Sequence, residues 1–193
     1  MKKLFSLITI FCLCTCLIFA EDEYEGDEYD DGYEYDQNGA GDQFLKIDLL
    51  ANFPLNFNKQ VHVGGAVSLG YYRFITKNIA LGGDVIVGYN VTIGEKSLIT
   101  APITFGICYQ PYVGKFEFPL MANIGIATSS CNGMTYFPSF AVKTAGGAYY
   151  RFTESWSAGI STDFYWIPQW FSDSKKDDNG MFLSAGISAR YHF

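Results

Sequence analysis

The stretch Met181-Phe182-Leu183-Ser184-Ala185-Gly186-Ile187-Ser188-Ala189-Arg190-Tyr191-His192-Phe193 decides the fold. From Leu183 on, the odd positions are apolar or aromatic and the even positions are Ser, Gly, Ser, Arg and His. A spacing of two is the period of a strand, whose successive side chains point to opposite faces. A helix would space its apolar residues by three and four. The same period recurs seven times upstream, through Leu45–Phe53, Val61–Tyr71, Ile79–Tyr89, Ala101–Tyr109, Phe116–Ile126, Phe140–Tyr150 and Trp156–Trp166. Each segment is long enough for a tilted membrane-crossing strand of roughly 9–11 residues.

The two faces of these strands differ in kind. One is built from Leu, Ile, Val and aromatic residues and carries no charge. The other holds Gly64, Gly70, Gly82, Gly88, Gly106, Gly125, Gly147, Gly159 and Gly186. It also holds every charge placed within a strand: Lys46, Asp48, Asp84, Glu117, Lys143, Asp163 and Arg190. An eight-stranded barrel has a bore just wide enough for side chains, so small residues suit its inside. A lysine or arginine facing mid-membrane lipid costs about 2–4 kcal/mol, which keeps charge off the outer face. The expected product is an all-β, eight-stranded antiparallel up-and-down transmembrane barrel. A soluble barrel of this size would show the opposite filling. Tyr71, Tyr89, Tyr109, Phe116, Phe118, Tyr150, Trp156, Trp166, Tyr191 and Phe193 fall toward strand ends, where aromatic rings favour the membrane interface.

Charge divides the chain into three parts. The 193 residues carry 13 Lys+Arg and 20 Asp+Glu, a net of −7, which argues against a nucleic-acid partner held by phosphate contacts. Lys2 and Lys3 precede an apolar run from Leu4 to Phe19, and Ile18 and Ala20 occupy the −3 and −1 positions of a cleavage site. Residues 1–20 therefore read as a secretory signal peptide. Cys16 raises a second reading, a lipidated cysteine, although Leu17-Ile18-Phe19 continues the apolar run where a polar spacer would start. Residues 21–42 hold eleven acidic groups and no lysine or arginine, interleaved with Tyr24, Tyr29, Tyr33 and Tyr35. Self-repulsion and the absence of aliphatic residues predict a disordered acidic N-terminal tail. It serves as a solvated spacer, as a weak cation binder, or as a segment that docks on a basic partner. Residues 43–193, the barrel, hold 9 acidic and 11 basic groups.

Two sequence features carry a resemblance. Tyr191-His192-Phe193 ends an alternating apolar strand on phenylalanine. Tyr71-Tyr72-Arg73-Phe74 recurs as Tyr149-Tyr150-Arg151-Phe152, each opening a turn into a glycine-rich strand that contains Asp84 or Asp163. Over residues 43–193 the chain resembles the small outer-membrane β-barrels of the OmpA, OmpX and OmpW kind. The resemblance implies a place in the bacterial outer membrane, lipid as the surrounding partner, and recognition of Tyr191 and Phe193 by the barrel-assembly machinery. OmpW relatives have an apolar lumen; this one reads as polar. An even strand number puts both termini on one side, the periplasm. Outward loops are expected near 54–60, 92–98, 128–138 and 167–180. The two copies of the turn motif differ by one residue in strand register, which places a bulge in the second or sixth strand.

Chemistry beyond the lumen is sparse. His62 and His192 are expected at opposite ends of the barrel, so they share no metal or catalytic site. No serine shows a His and carboxylate arrangement in the sequence, and no enzyme activity, metal or cofactor is expected. Cys108 and Cys131 read as isolated thiols. Lys143 and Asp163 are expected to pair across neighbouring strands. Lys46, Asp48, Glu117 and Arg190 are expected to form a second layer near the periplasmic end. Those pairs brace the lumen, or they gate a narrow polar pathway for small solutes. The function read here is porin-like or structural, with at most a narrow channel. The alternative is a surface interaction protein that offers an adhesin-like ligand Tyr136 and Phe137 in the third loop and Trp170 and Phe171 in the fourth.

Overall fold

The computed structural model describes residues 38–57, 60–131, 134–169 and 178–193. The leader, most of the acidic segment, Trp170 and Phe171 lie outside the described residues, and so do the expectations attached to them. The strands are β1 (Gln43–Pro54), β2 (Gly64–Thr76), β3 (Ile79–Val91), β4 (Ser97–Tyr109), the short β5 (Tyr112–Val113) and β6 (Phe116–Glu117), then β7 (Leu120–Cys131), β8 (Met134–Arg151), β9 (Trp156–Gln169) and β10 (Asp178–His192). β10 pairs back onto β1, and β8 pairs with β9, so the sheet closes into an antiparallel barrel. β6 and β7 pair with β8 in a single register, Phe116 opposite Tyr150 and Leu120 opposite Gly146. They are one wall strand interrupted at Phe118-Pro119, where proline has no N–H to give the ladder. The barrel thus has eight walls, as the two-residue period requires. The added β5–β6 hairpin turns at Gly114, whose φ of +56° suits a residue without a Cβ.

Alternation sorts the side chains. Ile160 and Ile187 are 65% exposed, Phe105 63% and Ile124 62%, all outward. Several inward glycines sit where neighbouring backbones come too close for a side chain. A Cβ on Gly186 would lie 2.0 Å from the Leu49 carbonyl oxygen, and one on Gly82 2.0 Å from that of Tyr71. Small residues inside therefore allow close strand approach as well as saving space.

The chain enters and leaves at one end, here the terminus end, where Gln43 and Phe193 exchange two backbone hydrogen bonds of 3.0 Å. The opposite, loop end carries the connections after β1, β3, β7 and β9. One expectation is located along the way and two are corrected. The register shift predicted for the second or sixth strand lies in β2, between Phe74 and Thr76. β7 and β8 run through most of the loop expected at 128–138, with residues 132–133 alone between them. Tyr136 therefore lies in β8 opposite Ser129, and Phe137 follows it in the same strand, because the ladder gains hydrogen bonds by continuing past the second register shift, between Ala127 and Ser129. Finally, the acidic segment is not free through residue 42. Asn38 is fully buried, the Gly41 N–H donates to the Phe74 carbonyl (2.9 Å), and the Phe74 N–H donates to that of Asp42 (2.8 Å). Asn38-Gly39-Ala40-Gly41 carries no charge, so nothing repels it from the barrel mouth.

Candidate functional site

All seven strand charges singled out in the sequence lie inside the barrel and are 0–1% exposed. They form two groups. The central group has Asp84 of β3 as its hub: its carboxylate takes Lys143 Nζ of β8 at 2.8 Å and Lys46 Nζ of β1 at 3.5 Å. Tyr72 Oη donates to it at 2.7 Å and Asn123 Nδ2 at 2.8 Å. Lys46 also pairs with Asp48 at 2.9 Å, and Lys143 reaches Asp163 at 3.8 Å. Tyr165 Oη donates to Asp163 at 2.7 Å, and Ser188 Oγ donates to Asp48. The Lys143–Asp163 contact expected between adjacent strands is thus present, but it is secondary to the bond with Asp84 across the bore.

The second group lies at the terminus end. Glu117 takes Arg151 Nε at 2.8 Å and faces Arg190 Nη1 at 3.7 Å. Arg190 is sandwiched, its guanidinium carbon 3.4 Å from the Tyr149 ring centroid and 4.8 Å from that of Phe44. Its Nη1 donates to Gln110 Oε1 at 2.8 Å. The layer expected from Lys46, Asp48, Glu117 and Arg190 is therefore divided, because barrel tilt carries Lys46 and Asp48 up to Asp84.

Arg151 is the inward charge that the alternation missed. In the first copy of the turn motif Tyr72 and Phe74 point in and Arg73 points out; in the second, Tyr149 and Arg151 point in. The one-residue register offset noted between the two motifs was the available signal. With Arg151 included, the buried charges among the described residues are four cations and four carboxylates, which balance. An unpaired buried ion costs several kcal/mol, so balance matters more here than any single pair.

Apolar clusters sit above and below the central group. Toward the loop end lie Leu50, Ala66, Ile86, Ala127, Ala141, Tyr165, Ile167 and Phe182, backed by Phe57 and Leu98. Toward the terminus end lie Phe44, Tyr72, Phe74, Ala80, Cys108 and Met121. A small cavity at the loop end, lined by Phe57, Leu98, Thr100, Ser129, Ile167 and Phe182, stops on the first cluster.

One pairing invites a catalytic reading. Ser157 Oγ lies 2.9 Å from His192 Nε2. Arg151 Nη2 lies 2.6 Å from His192 Nδ1 and 3.2 Å from Nε2, and an arginine only donates, so the shorter contact makes Nδ1 the acceptor. Nε2 then carries the proton and donates to the serine, the reverse of what a general base does. His62 is exposed at the other end, and Cys108 and Cys131 are both free. Among the described residues no group of three or more His, Cys, Asp or Glu side chains is placed to hold a metal ion.

A protein-family model matches residues 24–191, which takes in every strand of the barrel up to Tyr191. The chain belongs to that family. Two curated relatives from Treponema pallidum (strain Nichols), both uncharacterized proteins, extend the comparison. The first is 28% identical over 177 residues, covering 82% of this chain and 80% of its own length. The second is 24% identical over 170 residues, covering 80% of this chain and 56% of its own length. Among solved structures, Neisserial surface protein A superimposes with a TM-score of 0.64 at 12% identity, covering 79% of this chain and 99% of that one. The outer membrane protein OprG of Pseudomonas aeruginosa gives 0.52 at 12% identity, covering 81% and 98%. At that identity the likeness speaks to architecture. This family member has the fold of the small eight-stranded outer-membrane barrels.

Proposed function

We propose that the chain is an integral outer-membrane protein whose lumen is braced shut, a structural barrel that meets its surroundings at its loop end. The observation that carries this reading is the burial of Lys46, Asp48, Asp84, Lys143 and Asp163 to 1% exposure or less between two apolar clusters. A narrow polar pathway would need those charges to face water. The outward Leu, Ile, Val and aromatic side chains favour lipid as the medium, with both termini periplasmic. The rings of Trp156 and Tyr191 lie 5.0 Å apart and those of Tyr191 and Phe193 5.9 Å apart, outward at the terminus end, where the barrel-assembly machinery would read the last strand.

Single-channel recording of the refolded barrel in a planar bilayer tests the closed lumen. Silence is expected, together with silence in Lys143→Gln. Stable open-state current in the wild-type barrel overturns it. A surface-interaction role remains the second reading, favoured by Phe137, which is 61% exposed in the loop-end part of β8.

A further inference from the structure

We propose that a groove on the outer wall at β2–β4 seats one anionic phospholipid of the surrounding bilayer. An acyl chain crosses Gly83 and the phosphate rests on Arg73. This rests on the reading that the outer face meets lipid. The groove begins with a missing side chain. Asp84 points into the bore, so its neighbour Gly83 points out. Tyr71 of β2 and Phe105 of β4 stand opposite Gly83 in the ladder, one on either side. Their backbones are two strand spacings apart, roughly 10 Å, and Gly83 puts no side chain between the rings. A Cβ on Gly83 would lie 2.4 Å from the Thr104 carbonyl oxygen, so the gap is built into the approach of β3 to β4. Leu69, Val85, Ile103 and Ile124 line the rest of a groove of about 500 Å³. That surface suits an alkyl chain.

Charge selects the headgroup. Among the described residues, Arg73 is the one charged side chain that β1–β9 turn to the outer face. It is exposed and follows Tyr71 by two residues on the same face, roughly 7 Å nearer the terminus end. Arg73 stands opposite Gln43, the first residue of β1, which sets it at the membrane interface and not at mid-membrane. Phosphate is the lipid anion at that depth, and a guanidinium matches it with two parallel N–H donors. Tyr71 Oη donates to Gln43 Oε1, which leaves the Gln43 amide N–H as a second donor beside Arg73. Lys77, exposed in the turn after β2, adds positive potential on the same side. A net-negative headgroup gains from that potential, whereas a zwitterionic one brings its own cation.

Native mass spectrometry of the refolded protein in detergent micelles tests the site, with phosphatidylglycerol or phosphatidylcholine of the same acyl chains added. One phosphatidylglycerol should bind at about fivefold lower concentration than phosphatidylcholine, the effect of one cation near an anionic headgroup. Arg73→Gln should remove that preference, and Lys96→Gln at the loop end should keep it. Val85→Trp fills the groove and should weaken binding of both lipids severalfold. Ile160→Trp should change neither, because β9 lies four strands from β3 in either direction around the wall.

Equal binding of the two lipids by the wild-type protein, or a preference that survives Arg73→Gln, overturns the site. So does lipid binding unchanged by Val85→Trp, since the headgroup would then meet rim charge without the groove. A barrel dimer that is lost in Val85→Trp also overturns it, because the groove would then seat a second copy. Insertion into phosphatidylcholine vesicles, read as the heat-modifiable folded form, separates the site from the reading beneath it. Failure to insert overturns both, whereas insertion with equal lipid binding overturns the site alone.

Discussion

Lys143 Nζ lies 2.8 Å from Asp84 Oδ2, although β8 and β3 are three strands apart around the wall. That bond crosses the bore, and it joins two halves of the barrel that share no ladder. The carboxylate it uses also takes Tyr72, Asn123 and Lys46, so one side chain holds several walls in register.

Removing that hub should be costly. Asp84→Ala leaves Lys46 and Lys143 short of their main counter-charge and is expected to destabilise the barrel by about 3–5 kcal/mol. Urea unfolding in lipid vesicles, followed by tryptophan fluorescence, measures it. Replacing both partners, Asp84→Leu with Lys143→Met, should recover part of the loss, because the cation stranded by Asp84→Ala, Lys143, gives way to apolar packing. A double variant no more stable than Asp84→Ala refutes the pairing.

The glycine at the β10–β1 contact predicts a contrast between faces. Gly186→Ala puts a methyl 2.0 Å from the Leu49 carbonyl and should cost about 1–3 kcal/mol through strand displacement. Gly65→Ala, on the outer face with its nearest atom at 3.9 Å, should be close to neutral. Equal effects of the two substitutions in the same unfolding assay would show that strand approach does not set the inward glycines.

The lipid-facing surface is tested by depth. Ile187→Arg, midway along β10 and 65% exposed, should lose about 2–4 kcal/mol in a bilayer. Val113→Arg, in the hairpin at the terminus end, should lose at most about 1 kcal/mol, because an arginine there reaches water. The gap should close in detergent micelles thin enough to hydrate both sites. If Ile187→Arg is harmless in vesicles, the outer face does not meet lipid.

Assembly in cells should depend on the last strand. Phe193→Ser removes the terminal ring that packs 5.9 Å from Tyr191 while leaving the interior network intact. The heat-modifiable folded form in outer-membrane fractions is expected to fall severalfold. Refolding of the purified variant into vesicles should be little changed. A parallel loss in both settings would assign Phe193 to stability and not to recognition.

The period of two was legible because it is local. Each of the stretches around Leu183–Phe193, Leu45–Phe53 and Trp156–Trp166 declares by itself which side chains share a face, and lipid outside permits only one choice of face. Strand number, the inward seating of Lys46, Asp48, Asp84, Glu117, Lys143, Asp163 and Arg190, and the outward aromatic ends follow from that. Tertiary structure decided which charges meet, because partners across a bore depend on tilt and closure, and no single strand encodes those. It drew Lys46 and Asp48 to Asp84 and turned Lys143 away from its nearest neighbour. A one-residue register difference brought Arg151 inside to balance the charge, and closure set Asn38 in the mouth it helped to fill.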